Sequence, residues 1–185
     1  MDNKKLIAGF GYQEGRISSW DGKRTYTQAV PQMAKHCCDN GVDEILVYDW
    51  SVTDEDHEAA IAVIKEVCRE ADAPVIAGGR VKRMEDVKKY LYAGASAVFL
   101  DMSKEENTDM IKEASGRFGK EKIYAYLPTD EYIDSVKDYE AAGASVMLLN
   151  TAGSVPSLLE MASISDSEAS FLFFLQAKDD AKDTA

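Results

Sequence analysis

Short apolar stretches alternate along the chain with longer amphipathic stretches, and this alternation predicts repeated βα units. The apolar stretches are continuous runs, as expected for strands of a parallel sheet that is covered on both faces. The predicted strands are 6–11, 44–49, 74–79, 97–101, 122–127, 146–150 and 171–176. The predicted helices are 25–40, 54–71, 83–93, 107–118, 130–142 and a shorter one at 157–162.

Three segments share one pattern, in which a glycine that ends a helix precedes an apolar strand that closes on Asp or Asn. They are residues 41–49, 94–101 and 143–150, and their starts are 53 and 49 residues apart. This period of two βα units favours a barrel, in which alternate strands present equivalent side chains inward. An open doubly wound sheet has no reason to repeat in pairs.

The predicted fold is therefore α/β, of the (β/α)8 TIM-barrel type, and apparently incomplete because about seven strands can be counted. Residues 1–176 form the predicted barrel-like domain, and 177–185 form a polar tail. A parallel sheet that stops at its seventh strand exposes the edges of its first and last strands. We therefore expect either a longer parent chain or closure by another chain, as in a homo-oligomer.

The 185 residues include 33 acidic and 21 basic side chains, which give a net charge of -12. This charge repels nucleic-acid phosphates and anionic lipid, so neither nucleic acid nor membrane is an expected partner. The sequence has no signal-peptide pattern and no apolar run of membrane-spanning length, and we expect a cytoplasmic protein.

Cysteine spacing predicts neither a zinc site nor a redox pair, and neither a metal nor a cofactor is expected. Cys37, Cys38 and Cys68 are interpreted as reduced, mostly buried thiols, with a catalytic cysteine as the alternative. His57 follows several acidic residues at a helix start, and we expect it on a solvated face.

The segment 9–15 is glycine-rich and imitates a dinucleotide fingerprint. A dinucleotide-binding motif requires a helix to begin directly after the glycine-rich turn. Residues 16–24 are instead typical of a loop or small hairpin, so this interpretation is not favoured.

Ligands of parallel α/β proteins bind at the carboxyl ends of strands, which directs attention to the residues that close each strand. Asp49 and Asp101 are either turn and cap residues or the available catalytic pair. Gly78 and Gly79 form either a tight turn or an anion-binding loop assisted by Arg80. Trp20 and Trp50 are candidates for stacking on a ligand or a partner.

The segments 49–54, 74–81 and 93–98 resemble the ribosyl-phosphate barrels of histidine biosynthesis. That family includes phosphoribosylformimino-AICAR-phosphate isomerase and the cyclase subunit of imidazole glycerol phosphate synthase, and the resemblance covers residues 4–150. The segments 49–58 and 83–89 are also similar to the barrel-like N-terminal domain of some bifunctional phosphoribosyl-AMP cyclohydrolase/phosphoribosyl-ATP pyrophosphatases.

The resemblance implies catalytic aspartates at the ends of two strands, where this chain has Gly11 and Leu127. Neither residue can transfer a proton, so isomerase or cyclase activity is not expected from these positions. The resemblance also implies phosphate contacts, for which Gly78, Gly79, Arg80 and Ser103 are the candidates.

Three hypotheses follow from these observations. The first is a catalytically degenerate barrel domain with a structural or regulatory role, or with weak binding of a phosphorylated ribose-type molecule. The second is an active isomerase or cyclase that uses Asp49 and Asp101. The third is an interaction domain whose barrel is completed by a neighbouring chain.

Overall fold

The computed structural model describes residues 5–27, 29–129, 134–150 and 170–173, which form one mixed sheet with five α-helices. The strands are β1 (Ile7–Gln13), β2 (Arg16–Ser18), β3 (Thr25–Tyr26), β4 (Glu44–Asp49), β5 (Val75–Gly78), β6 (Ala97–Asp101), β7 (Ile123–Leu127), β8 (Ser145–Asn150) and β9 (Ser170–Phe173). The helices are α1 (Val30–Asp39), α2 (Asp54–Glu70), α3 (Met84–Tyr92), α4 (Glu105–Phe118) and α5 (Val136–Ala141), with a 3-10 turn at Lys120–Lys122.

The strand order is β3-β2-β1-β4-β5-β6-β7-β8-β9. Seven of these strands are parallel: β1, β4, β5, β6, β7, β8 and β9. Strands β2 and β3 are antiparallel and form a hairpin beside β1. The described sheet is open, with β3 and β9 at its two ends. The α/β fold of an incomplete barrel is thus confirmed. The three repeated segments contain β4, β6 and β8, which alternate with β5 and β7.

Two predictions about the start of the chain were wrong. The first helix was expected from residue 25, but Thr25 and Tyr26 pair with β2 and the helix begins at Val30. Pro31 lies in the first turn of α1, where its fixed φ suits a helix start. The first strand was expected to be an open edge, yet β2 pairs with β1 at residues 11–13.

Other predictions fall partly outside the described residues. The short helix at 157–162 and the tail at 177–185 lie there entirely. The predicted last strand is seen as β9 at residues 170–173, and 174–176 lie outside.

The two faces of the sheet bury separate apolar clusters. One face packs against all five helices, and the β4 side chains of Ile45 and Val47 lie on it. The other face, here called the inner face, receives Leu46 and Tyr48 from the same strand. This alternation follows from the two-residue period of a strand. The inner-face cluster consists of Leu46, Tyr48, Ile76, Ala97, Phe99, Tyr126 and Met147, with Ile7, Trp20, Trp50 and Tyr124 packed against it.

Thr53 is the N-cap of α2, and its hydroxyl oxygen accepts the backbone N–H of Asp56 at 3.1 Å. We expect Thr53→Ala to lower the free energy of unfolding by about 1 kcal/mol, because the helix loses this partner for an end N–H. Thr108→Ala is the control, since Thr108 is exposed inside α4 and caps nothing. Urea titration of both variants measures the difference. An equal stability of the two variants would contradict the capping role.

Candidate functional site at the carboxyl ends of the strands

Five aromatic rings fill the inner face near the carboxyl ends of the parallel strands: Trp20, Tyr48, Trp50, Phe99 and Tyr126. Trp20 comes from the loop between β2 and β3, and its indole N–H donates to the Tyr126 hydroxyl at 2.9 Å. The Trp50 ring stacks on Tyr48 with centroids 4.0 Å apart. The Trp50 indole donates to the Trp20 carbonyl at 3.1 Å. We call these five residues the aromatic cluster.

The loop that carries Trp20 is held in shape by its own hydrogen bonds. The Ser19 N–H donates to the Arg24 carbonyl at 2.8 Å, and the Ser19 hydroxyl donates to Asp21 Oδ1 at 2.6 Å. The bond from Ser19, with the backbone N–H of Lys23, lowers the pKa of Asp21 to about 2. Trp20 therefore enters the cluster from a preformed loop.

Gly11, at the position of the first implied catalytic aspartate, lies against this cluster. A Cβ atom at Gly11 would lie 2.1 Å from Ser18 Oγ and 2.8 Å from Trp50 Cδ1. Both distances are shorter than real Cβ contacts, and the Ser19 carbonyl oxygen would lie 2.9 Å away, so a side chain at Gly11 requires its neighbours to shift. The chain has no carboxylate at this position.

Leu127, at the second implied position, lies on the helix-covered face of the sheet. Its side chain is fully buried there in the core that the helices cover. Tyr126, its neighbour in β7, is the residue that reaches the inner face. A carboxylate at 127 would consequently not face the space above Gly11.

Asp101 lies at the end of β6 and is 5% exposed. Its Oδ2 accepts the Tyr48 hydroxyl at 2.5 Å, and its Oδ1 accepts the N–H and the hydroxyl of Ser103 at 3.0 and 2.6 Å. Burial raises the pKa of Tyr48, and the Asp101 charge adds to the effect. Asp101 is thus tied to a turn and to the aromatic cluster.

Asp49 ends β4 and faces the helices instead. Its Oδ1 accepts the Ser51 N–H at 2.9 Å, while its Oδ2 lies 2.7 Å from His57 Nδ1 and accepts the Tyr90 hydroxyl at 2.9 Å. Burial raises the pKa of Tyr90, and the nearby Asp49 charge raises it further. Asp49 and Asp101 lie on opposite faces of the sheet and do not converge.

His57 is 1% exposed, so the prediction of a solvated histidine was wrong. Its side chain lies between two buried carboxylates, with Nδ1 beside Asp49 and Nε2 3.6 Å from Asp86 Oδ1. The burial of His57 could have been predicted from the helical period, because positions 57, 60, 64 and 67 share one face of α2 and the last three are apolar.

Of the candidate phosphate contacts, Arg80 and Ser103 have side-chain partners within the chain, while the buried Nε of Arg80 has none. Arg80 is 3% exposed and donates to Asp54 Oδ1 at 2.5 Å, which lowers the pKa of Asp54. The Gly79 carbonyl accepts the Lys104 ammonium, and the Ser103 hydroxyl donates to Asp101. The N–H groups of Lys82 and Arg83, which precede α3, donate to Asp86 Oδ2.

Close packing explains the two glycines between β5 and α3. A Cβ atom at Gly78 would lie 2.1 Å from the Phe99 carbonyl oxygen. Gly79 has a φ of +100°, and a Cβ there would lie 2.5 Å from Tyr48 Cε1. Both glycines are thus required by packing against the sheet, whether or not an anion approaches them.

The three cysteines are free thiols, but each is of intermediate exposure, so the prediction that they are mostly buried was wrong. Burial raises the pKa of Cys68 to about 11 and also raises the pKa of Cys37, which disfavours the reactive thiolate in both. Cys68 lines a cavity of about 520 Å³ beside Ala93 and Gly94. This cavity lies toward the amino end of β6, away from the candidate site.

Within the residues that the structure describes, no group of three or more His, Cys, Asp or Glu side chains is arranged to hold a metal ion. The helices found there are all too short or too polar to cross a bilayer.

A parallel sheet with alternating helices, and with its glycines and carboxylates gathered at the strand ends, defines a protein of the (β/α)-barrel class. The family described as "Histidine biosynthesis protein" matches residues 14–140, and the chain belongs to this family. This finding confirms the resemblance noted in the sequence.

The chain is similar to imidazole glycerol phosphate synthase subunit HisF from Staphylococcus aureus strains Newman, COL and MRSA252. In each case it is 29% identical over 137 residues, which cover 72% of this chain and 53% of the relative. The chain spans about half the length of the curated relatives that it matches.

We expect His57→Ala to lower the free energy of unfolding by about 3 kcal/mol or more, because two buried carboxylates lose the group between them. His36→Ala is the matched control, since His36 is exposed in the last turn of α1. Thermal and urea unfolding of both variants provide the measurement. Equal stabilities of the two variants would refute a structural role for the buried histidine.

Proposed function

We propose that this chain is a non-catalytic member of the histidine-biosynthesis barrel family, with a structural or regulatory role exerted through association with another chain or domain. The observation that carries the proposal is the packing around Gly11. Ser18 and Trp50 occupy the space that a side chain would need there. The isomerase and cyclase reactions require a proton donor and a proton acceptor on opposite sides of the substrate. Glycine at position 11 can be neither.

The filled inner face supports the same conclusion. Trp20 contacts Tyr48, Phe99 and Tyr126, and its indole N–H is bonded to Tyr126. The space over the strand ends is thus used for packing. A substrate would have to displace these rings and break the Trp20 hydrogen bond.

The alternative of an active isomerase or cyclase that uses Asp49 and Asp101 has less support. The two carboxylates lie on opposite faces of the sheet, and each accepts a backbone N–H together with a side-chain hydroxyl. Groups so placed are not on opposite sides of one substrate.

Weak binding of a phosphorylated ribose-type molecule is also less favoured. Arg80 is paired with Asp54, and Ser103 donates to the Asp101 carboxylate. A phosphate group would have to displace the Asp54 carboxylate from Arg80, and at Ser103 it would lie beside the Asp101 carboxylate. The net charge of -12 adds long-range repulsion.

Association is the remaining part of the proposal. The relatives are named as a synthase subunit and are about twice the length of the matched region. Among the described residues β9 pairs with β8 and with no further strand, so the described sheet is not closed. A second copy, or a partner domain in a longer chain, is the proposed means of completion. The family's biosynthetic role supports a cytoplasmic location.

We expect the purified chain to show no steady-state turnover of the isomerase or cyclase substrate. Gly11→Asp combined with Leu127→Asp should not restore turnover, because the first side chain has no space and the second faces the helices. Turnover by the unchanged chain that is lost in Asp49→Asn would overturn the proposal and favour the alternative.

A matched pair of alanine variants separates a packing defect from a general effect of replacing glycine. Gly11→Ala should destabilise, whereas Gly116→Ala should stabilise by about 0.5 to 1 kcal/mol, because Gly116 lies in α4 with open space around it. If Gly11→Ala is as stable as the unchanged chain, the space is not closed and the proposal loses its main support.

We expect a dimer or a larger oligomer at tens of micromolar concentration, since an unpaired strand edge favours pairing with another chain. Sedimentation velocity measures the assembly state. A monodisperse monomer with a normal thermal transition would show that the chain tolerates its open sheet.

A further inference from the structure

The β2–β3 hairpin carries exposed basic side chains around an exposed tyrosine, in a chain whose net charge is -12. We call this surface the hairpin patch, and it consists of Arg16, Lys23, Arg24 and Tyr26. Tyr26 is 44% exposed and lies in β3, the last strand at that end of the sheet. Lys23 Nζ lies 3.2 Å from Asp21 Oδ2, whereas Arg16 has no charged partner within the described residues. The hairpin patch therefore combines an aromatic ring with unpaired positive charge.

The loop between β4 and α2 exposes an apolar side chain beside carboxylates. We call this surface the loop patch, and it consists of Val52, Asp54 and Glu55. Val52 is 78% exposed, which is unusual for a β-branched apolar residue. Asp54 pairs with the buried Arg80, whereas Glu55 has no charged partner in the part of the chain that the structure describes. The loop patch therefore matches the hairpin patch in kind and opposes it in charge.

The strand register places both patches at the same end of the sheet. Tyr26 is opposite Ile17, Ile17 is opposite Tyr12, and Tyr12 is opposite Asp49, the last residue of β4. This row crosses from β3 to β4, a distance of about 14 Å at the usual spacing of strands. Val52 follows Asp49 closely in the chain. A two-fold axis that passes between the patches therefore brings each hairpin patch onto the loop patch of the other copy, because every contact of an isologous interface occurs twice.

We propose that two copies of this chain associate through these patches, with Tyr26 of one copy against Val52 of the other and Arg16 facing Glu55. The two apolar side chains lose their exposed area on association, while the opposite charges fix the orientation of the copies. The inference rests on the proposed association and names a surface for it. This surface lies at the β3 end of the sheet and leaves the β9 edge for a partner domain.

Tyr92 provides a matched reference for Tyr26. It is 82% exposed and is the last residue of α3. Because α3 runs back from the carboxyl end of β5 to the amino end of β6, Tyr92 lies at the opposite end of the sheet from both patches. A tyrosine that is exposed without taking part in the proposed contact is thus available in the same chain.

The test measures the dimer Kd of the full chain by sedimentation over a range of concentrations. We expect Arg16→Glu to weaken association about tenfold or more, because like charges then face each other in both halves of the interface. Glu55→Arg should weaken it in the same way, and Arg16→Glu combined with Glu55→Arg should restore it, since the pair is then reversed. Lys112→Glu and Glu113→Arg make the same charge changes at exposed positions of α4 and should leave the Kd unchanged.

The apolar contact and the charges are tested separately. Tyr26→Ser should weaken the dimer, whereas Tyr92→Ser should not, although Tyr92 is the more exposed of the two. Sodium chloride at about 0.5 M should also weaken the dimer, because salt screens charges at the surface. Thermal unfolding of every variant checks that the fold is retained.

Three outcomes would contradict the inference. A dimer whose Kd is unchanged in Arg16→Glu and in Tyr26→Ser would overturn it and leave the proposed association intact through another surface, such as the β9 edge. Single charge variants that weaken the dimer without restoration in the double variant would overturn the pairing of Arg16 with Glu55. A monomer at every concentration would overturn both this inference and the proposed association of copies.

Discussion

The packing of Trp20 against three strands is the constraint on which the inner face depends. Its indole N–H reaches the Tyr126 hydroxyl, and its carbonyl accepts the indole N–H of Trp50. These contacts hold Trp50 over Gly11, where no Cβ atom fits. A side chain at Gly11 and this aromatic arrangement are therefore in conflict, because one of them would have to shift to accommodate the other.

A second network performs the equivalent task on the helix-covered face. Asp49 receives His57 from α2 and the Tyr90 hydroxyl from α3, so one carboxylate at the end of β4 joins two helices to the sheet. Buried polar groups require such partners, because an unpaired charge in the core is costly. A residue type that suggests catalysis thus has a structural role here.

The sequence predicts β4 and β6 with their observed bounds, because each is a continuous apolar run that ends in an aspartate. It does not predict that Asp49 and Asp101 face opposite ways. Each strand fixes its own alternation, but the relation between strands depends on a register that only the sheet shows. The burial of His57 was predictable from the period of α2, whereas the crowding at Gly11 depends on Trp50 and Ser18 and was not.

The contact between Trp20 and Tyr126 joins residues 106 positions apart. Contacts of such long sequence separation form only after the intervening chain is ordered, since the entropy of closing the loop comes first. The hairpin that carries Trp20 therefore acquires its Tyr126 partner only after β7 has been synthesised. Until then a large aromatic side chain lacks part of its packing, and apolar surface exposed in this way favours association with other chains.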